Sequence, residues 1–216
     1  MSKILKDKTK IIAWLDKYQI ENYTLVPDDK YSFIVAVEGD VNLSDKKLNQ
    51  IPIQFGKVSG HFNCTYNQLT SLEGMPTSVG GNFYCHYNQL TSLEGGPTSV
   101  GGNFYCHGNK LTSLEESPTS VGAYFDCSYN NITSLEGCPS SVGGDFICMN
   151  NKLTSLLGGP TSVGGDFYCY NNKDLGEYQE INDFKIIKEK ILSDKDKKLL
   201  STLLDKGNLT CCVLKL

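Results

Sequence analysis

The strongest constraint on this chain is a unit of 21 residues that recurs without a slip. The motif reads NxLTSLEGxPTSVGGxFxCxx, and its apolar positions form columns. Two Leu columns run through Leu69, Leu90, Leu111, Ile132 and Leu153, and through Leu72, Leu93, Leu114, Leu135 and Leu156. Val79, Val100, Val121, Val142 and Val163 form a third, and Phe62, Phe83, Phe104, Phe125, Phe146 and Phe167 a fourth. Cys64, Cys85, Cys106, Cys127, Cys148 and Cys169 follow two residues after each Phe. Asn67, Asn88, Asn109, Asn130, Asn151 and Asn172 come three residues later. One unit is too short to bury its own apolar face, so neighbours must stack and complete a shared core.

Within each unit, FxC reads as a short strand whose Phe and Cys face inward while the residue between them, Tyr84 or Tyr105, faces out. The Gly pairs before it, Gly80-Gly81 and Gly101-Gly102, are expected to permit a sharp backbone turn. They are not phosphate cradles, because neither Lys-Ser/Thr nor a helix start follows them. The Asn after each strand can hydrogen-bond buried loop backbone, which an apolar residue could not do. Strands about 4.8 Å apart do not forbid a disulfide between neighbouring Cys. The slot nevertheless suits a small apolar side chain, and zinc needs tetrahedral ligands rather than a flat row. The column is therefore read as core, and neither Cys138 nor the pair Cys211-Cys212 carries a mark of catalysis.

The run FYCHYNQL resembles the leucine-rich repeat LxxLxLxxNxL, with Phe and Cys in the middle apolar slots. The short unit with LTSL and a following Pro resembles the short bacterial class, and the lead-in KLNQIPIQFGKVSGHFNC is similar to repeat proteins of tailed phages and their hosts. The resemblance covers Val41–Asn172. It implies a leucine-rich-repeat solenoid, α/β by convention, with short parallel β-strands on a concave face, an extended convex side, and helical N- and C-terminal caps. Three regions follow: a cap over 1–40, the solenoid over 41–172 and a helical cap over 173–216. Lys8–Gln19 reads as an amphipathic helix presenting Ile11, Leu15 and Tyr18, with Trp14 beside them. Tyr23–Val26 and Tyr31–Val37 read as a hairpin around PDDK. Val41, Leu43, Leu48 and Ile51 keep the repeat spacing in a degenerate first coil. Past Asn172, Glu177–Leu192 and Asp194–Lys206 read as helices and Leu209–Leu216 as a strand.

Charge narrows the partners. All 20 basic residues are Lys, so the guanidinium fork that grips phosphates and guanine edges is missing. His61–Asn172 holds only Lys110 and Lys152 against eight acidic residues, which disfavours a nucleic-acid partner. The charged start MSKILKDKTK lacks the apolar core of a signal peptide, and no stretch reaches the roughly 18 apolar residues of a membrane span. The expected compartment is the cytoplasm, of the host if the chain is phage-encoded.

The candidate binding residues are those facing out from the strands: Tyr66, Tyr84, His86, Tyr87, Tyr105, His107, Tyr124, Asp126, Tyr129, Tyr168 and Tyr170. Stacked Tyr can be simple cross-strand pairing. A face rich in Tyr and Asn and poor in Lys is also what recognition surfaces use, because Tyr offers area at low entropic cost. Catalysis is less well supported. A relay of Ser128, His107 and Asp126 would sit on an open strand surface without an oxyanion hole. Cys85-His86 and Cys106-His107 point to opposite faces and cannot form dyads. His86, His107 and Asp126 form a conceivable metal set, but the reading calls for no metal, cofactor or catalytic residue. The expected function is non-catalytic recognition of another protein, with the phage-like resemblance implying a host defence component as target. Sequestration of a nucleotide-like small molecule and a self-associating structural module remain the alternatives.

Overall fold

The computed structural model describes residues 4–172. The C-terminal expectations, including both helices, the strand and Cys211-Cys212, lie outside the described residues.

Helix α1 (Lys8–Lys17) begins where Asp7 accepts a 2.9 Å hydrogen bond from the Lys10 amide, satisfying one of the free N–H groups of a helix start. It ends two residues sooner than the sequence pattern suggests, with Gln19 at φ 55° turning the chain away. Ile11 and Leu15, one turn apart, are buried, and the Trp14 ring lies 6.3 Å from that of Phe55. The helix thus covers the first coils of the core.

Strands β1 (Tyr23–Asp28) and β2 (Ser32–Val37) form the expected antiparallel hairpin, pairing Tyr23 with Val37 and Asp28 with Ser32. The Asp28 carboxylate closes its turn by accepting from the Lys30 and Tyr31 amides. From β2 onward the chain winds as a parallel β-solenoid. β3 (Val41–Asn42) pairs in parallel with β5 (Phe62–Asn63), placing the degenerate first coil in register with the repeats. The ladder continues through Phe83–Tyr84, Phe104–Tyr105, Phe125–Asp126, Phe146–Ile147 and Phe167–Tyr168, giving a sheet of seven strands.

The opposite side carries more structure than expected. The repeated Ser-Val dipeptides pair in parallel, and with β1, β2 and β4 (Gln54–Val58) they form a second sheet of eight strands. The resemblance implied an extended side, and its extended segments pair into this ladder. Each Val points inward, so alternation buries one residue and leaves the coil edge free to pair with its neighbour.

Between the sheets the Phe column forms a continuous stack, with ring centroids 5.0 to 5.8 Å apart from Phe62 to Phe167. The Cys column lies beside it, fully buried, and the thiols of Cys64, Cys85, Cys106, Cys127 and Cys148 are free. These thiols are not mere filler. Those of Cys64, Cys85, Cys106 and Cys127 lie 3.3 to 3.5 Å from the strand carbonyl of the following coil and donate to it. Burial pushes all five thiol pKa values up, so they stay protonated and lack nucleophilic character.

The Asn column stitches the coils. Asn109 accepts from the Leu90 amide at 3.0 Å and donates to the Cys85 and Cys106 carbonyls at 3.1 and 3.0 Å. The same triplet recurs at Asn88 and Asn130. The chain bends at the Gly pairs as expected, but not through left-handed backbone. Gly80 and Gly101 are not in the left-handed region, but a Cβ on Gly101 would run into the Gly80 carbonyl of the coil before. Glycine is needed at this bend for coil-to-coil contact.

Candidate functional site

The seven-stranded sheet presents four columns of outward residues, and their roles separate sharply. The first column precedes the Phe and is structural. Asp40, His61, Asn82, Asn103 and Asp145 each accept a hydrogen bond of 2.7 to 2.8 Å from the backbone amide of the residue one coil on. Accepting through Nδ1 makes His61 the Nε2–H tautomer. Tyr124 interrupts this ladder, and its ring lies over Gly144.

The second and third columns vary together. Where the second is Asn or Asp, the third is Ser or Thr, and the pair closes an Asx turn. Asn63 accepts from the Thr65 amide and hydroxyl, and Asp126 likewise from Ser128. In the two coils between, the pair is Tyr-x-His: Tyr84 with His86 and Tyr105 with His107. Aromatic residues therefore concentrate at one place. Tyr84 and Tyr105 stack at 5.4 Å and 11°, and His86 and His107 at 4.3 Å and 16°. Tyr66 and Tyr87 of the fourth column stack at 4.8 Å and 25°. Edge-on contacts join the three stacks, for example His86 with Tyr105 at 6.2 Å and Tyr87 with His107 at 5.2 Å. His61 adjoins Tyr84 at the rim, so all three His of the chain belong to this patch.

Asp126 bounds the patch. Its Oδ2 lies 3.1 Å from His107 Nδ1, off the line of a straight hydrogen bond, while Oδ1 accepts from the Ser128 hydroxyl at 2.6 Å. Burial by itself would raise the Asp126 carboxyl. The contacts with His107 and Ser128 outweigh burial and hold it below the usual carboxylate range, so it is ionised at neutral pH. His86 goes the other way. Desolvation, reinforced by the neighbouring His107, lowers it to about 4, and its buried Nδ1 has no hydrogen-bond partner.

This geometry bears on the chemical alternatives. Ser128 is buried and spends its proton on Asp126, so the carboxylate lies between the hydroxyl and the imidazole, the reverse of the order a Ser-His-Asp relay needs. The His86 and His107 rings lie nearly parallel, so their nitrogens run side by side rather than converging on one point. Among the described residues no group of three such side chains is placed to hold a metal ion.

Of the predicted residues, Tyr66, Tyr84, His86, Tyr87, Tyr105, His107 and Asp126 come together. Tyr168 and Tyr170 lie beyond Ile147 and Met149, which break the aromatic columns. An open cleft of about 520 Å³ lies elsewhere, lined by Lys30, Tyr31, Gln54, Glu73 and Glu94 among others, and contains no residue of the patch.

The fourth column holds the least expected feature. Tyr66, Tyr87 and Tyr129 adopt left-handed backbone with φ of 53° to 54°. The same position is Asp45, Gly108, Asn150 and Asn171 in other coils, residues that enter this region more easily. Sequence reasoning missed the strain, although the Asp, Gly and Asn in the column were its signal. These Tyr side chains are also 58, 47 and 59 % exposed. A scan against protein-family models finds no match for this chain, and comparison with curated proteins finds none either.

Proposed function

We propose that this chain is a recognition protein of the leucine-rich-repeat kind, non-catalytic, whose Tyr- and His-rich strand face holds another protein. The observation that carries this reading is the strained, exposed Tyr column. A bulky side chain in left-handed backbone costs about 1 kcal/mol or more, and half of each ring faces water. Asn or Gly would serve the coil better, as they do at Gly108, Asn150 and Asn171. The stacking of Tyr66 on Tyr87 returns part of that cost, and recognition accounts for rings left so exposed, since Tyr supplies rigid amphipathic contact area. The phage-like character of the repeat supports a target in a host cytoplasm, such as a defence component held inactive.

The test immobilises the wild type, a Tyr84/Tyr105/His107→Ala variant and a Tyr66/Tyr129→Asn variant, and identifies what each retains from a host lysate. A protein held by the wild type and lost by both variants is the expected result. The Asn variant should stay within about 1 kcal/mol of wild-type stability, because relief of strain offsets the ring burial that is lost. Equal retention by all three proteins would refute recognition through this face.

A further inference from the structure

The cleft beside the hairpin lies where the chain departs from its repeat. Gln54 occupies the position that Met75, Gly96, Ser117, Cys138 and Gly159 hold in later coils, and it is only 8 % exposed. Its Nε2 donates at 2.8 Å to the carbonyls of Phe55 and Met75, which uses both amide hydrogens and fixes the side chain. Its Oε1 accepts no hydrogen bond from the described residues and is not sealed off from the cleft that Gln54 lines. An acceptor held in this way costs free energy unless water or a ligand donates to it.

Two carboxylates line the same cleft. Glu73 and Glu94 come from the next two coils, and these coils touch. A Cβ on Gly74 would lie 2.6 Å from the Ile53 carbonyl oxygen, and one on Gly95 would lie 3.1 Å from the Glu73 amide nitrogen. The hairpin tip adds Lys30, whose Nζ lies 4.7 Å over the Tyr31 ring. Hydrogen bonding to Tyr31 pushes the Lys30 pKa up, and Glu73 is near enough to add to the shift. Even so, among the described residues none of Lys30, Glu73 and Glu94 is in an ion pair.

These groups select a ligand that carries both signs. An ammonium group has three N–H donors, and Gln54 Oε1 and the two carboxylates supply three acceptors. For a simple amine Lys30 is a repelling neighbour, whereas a carboxylate on the same ligand makes it a partner. The cleft volume of about 520 Å³ is that of a small-molecule site.

We propose that this cleft is a binding site for a free α-amino acid with a polar side chain. The α-ammonium donates to Gln54 Oε1, Glu73 and Glu94, and the α-carboxylate accepts from Lys30. Ser71 and Thr77 offer hydroxyls to the side chain. The cleft contains no residue of the Tyr and His patch, so this site is independent of the reading of that face.

The probe is L-glutamine, titrated into the full chain while the Gln54 side-chain amide and the Gly95 backbone amide are followed by NMR. Its controls are L-glutaminamide, which lacks the carboxylate, and N-acetyl-L-glutamine, which lacks the ammonium. L-glutamine should shift both signals saturably, leave the His86 and His107 rings unmoved, and bind about tenfold or more tightly than either control. Lys30→Met should weaken L-glutamine several-fold and erase its advantage over L-glutaminamide, because Lys30 alone reads the carboxylate. Glu73→Gln/Glu94→Gln should erase the advantage over N-acetyl-L-glutamine. The fold tolerates these changes, since Lys30 and Glu94 are exposed and Ser71 bonds the backbone amide of Glu73 rather than its side chain. No saturable shift, equal binding of the three compounds, or an advantage over L-glutaminamide that survives Lys30→Met overturns the amino-acid site. Recognition by the strand face would then still stand or fall on the lysate experiment.

Discussion

Removing the Asn109 side chain tests what holds one coil to the next. Asn109 is 8 % exposed and makes its bonds to two coils at once. In Asn109→Ala the Leu90 amide loses the Asn109 acceptor, which costs about 1–3 kcal/mol. The carbonyls are less vulnerable. Cys85 O also accepts from Asn88, and Cys106 O from Asn130, so each keeps one donor and loses about 0.5–1 kcal/mol. A water entering the vacated space would find the three polar partners it needs and return part of the loss. The net expectation is about 2–4 kcal/mol, read as a lowered midpoint in urea denaturation followed by circular dichroism. Asn109→Asp sharpens the test. It keeps the acceptor for Leu90 but turns an oxygen toward two carbonyls, so burial and repulsion raise its folded pKa above the unfolded value. The variant should be closest to wild type below about pH 4 and lose stability as pH rises toward 7. A loss under about 0.5 kcal/mol for Asn109→Ala, or no pH dependence for Asn109→Asp, would refute the view that this column stitches the coils.

Two further outcomes follow from the core and the patch. Phe104 sits between Phe83 at 5.2 Å and Phe125 at 5.4 Å, so Phe104→Ala should cost about 3–5 kcal/mol in urea denaturation, and Phe104→Leu markedly less. His86, lowered to about 4 by desolvation, takes up its proton more readily when unfolded, so its contribution is present above about pH 6.5 and lost as pH falls toward 4. Discounted for its half-exposed ring, that loss is about 1–2 kcal/mol, and His86→Gln should flatten the pH dependence of stability across this window. An unchanged slope in that variant would show that the pH dependence arises elsewhere. Asp126, held low by His107 and Ser128, loses its own contribution only at still lower pH.

The solenoid was readable from the repeat alone. A repeat of 21 residues with fixed Phe, Cys, Leu and Val columns permits one packing, in which equivalent residues of successive coils meet, and the Phe stack follows directly. The hairpin, the start of the helix and the outward direction of Tyr84, Tyr105, His86 and His107 were legible for the same reason: strict periodicity fixes which face each residue takes. The pairing of the Ser-Val dipeptides into a second sheet emerged only from the folded coils, because two residues per strand leave no pattern longer than the turn beside them. The role of the Gly pairs was likewise hidden, since crowding against the previous coil depends on coil spacing rather than on local backbone preference. The patch itself was half visible. Its residues could be named from their columns, but how the rings stack, how Asp126 divides its oxygens between His107 and Ser128, and how the Tyr87 ring comes to lie over Gly108 depend on side-chain directions across coils. Those directions are set by packing between residues 21 apart, which no local stretch of sequence encodes.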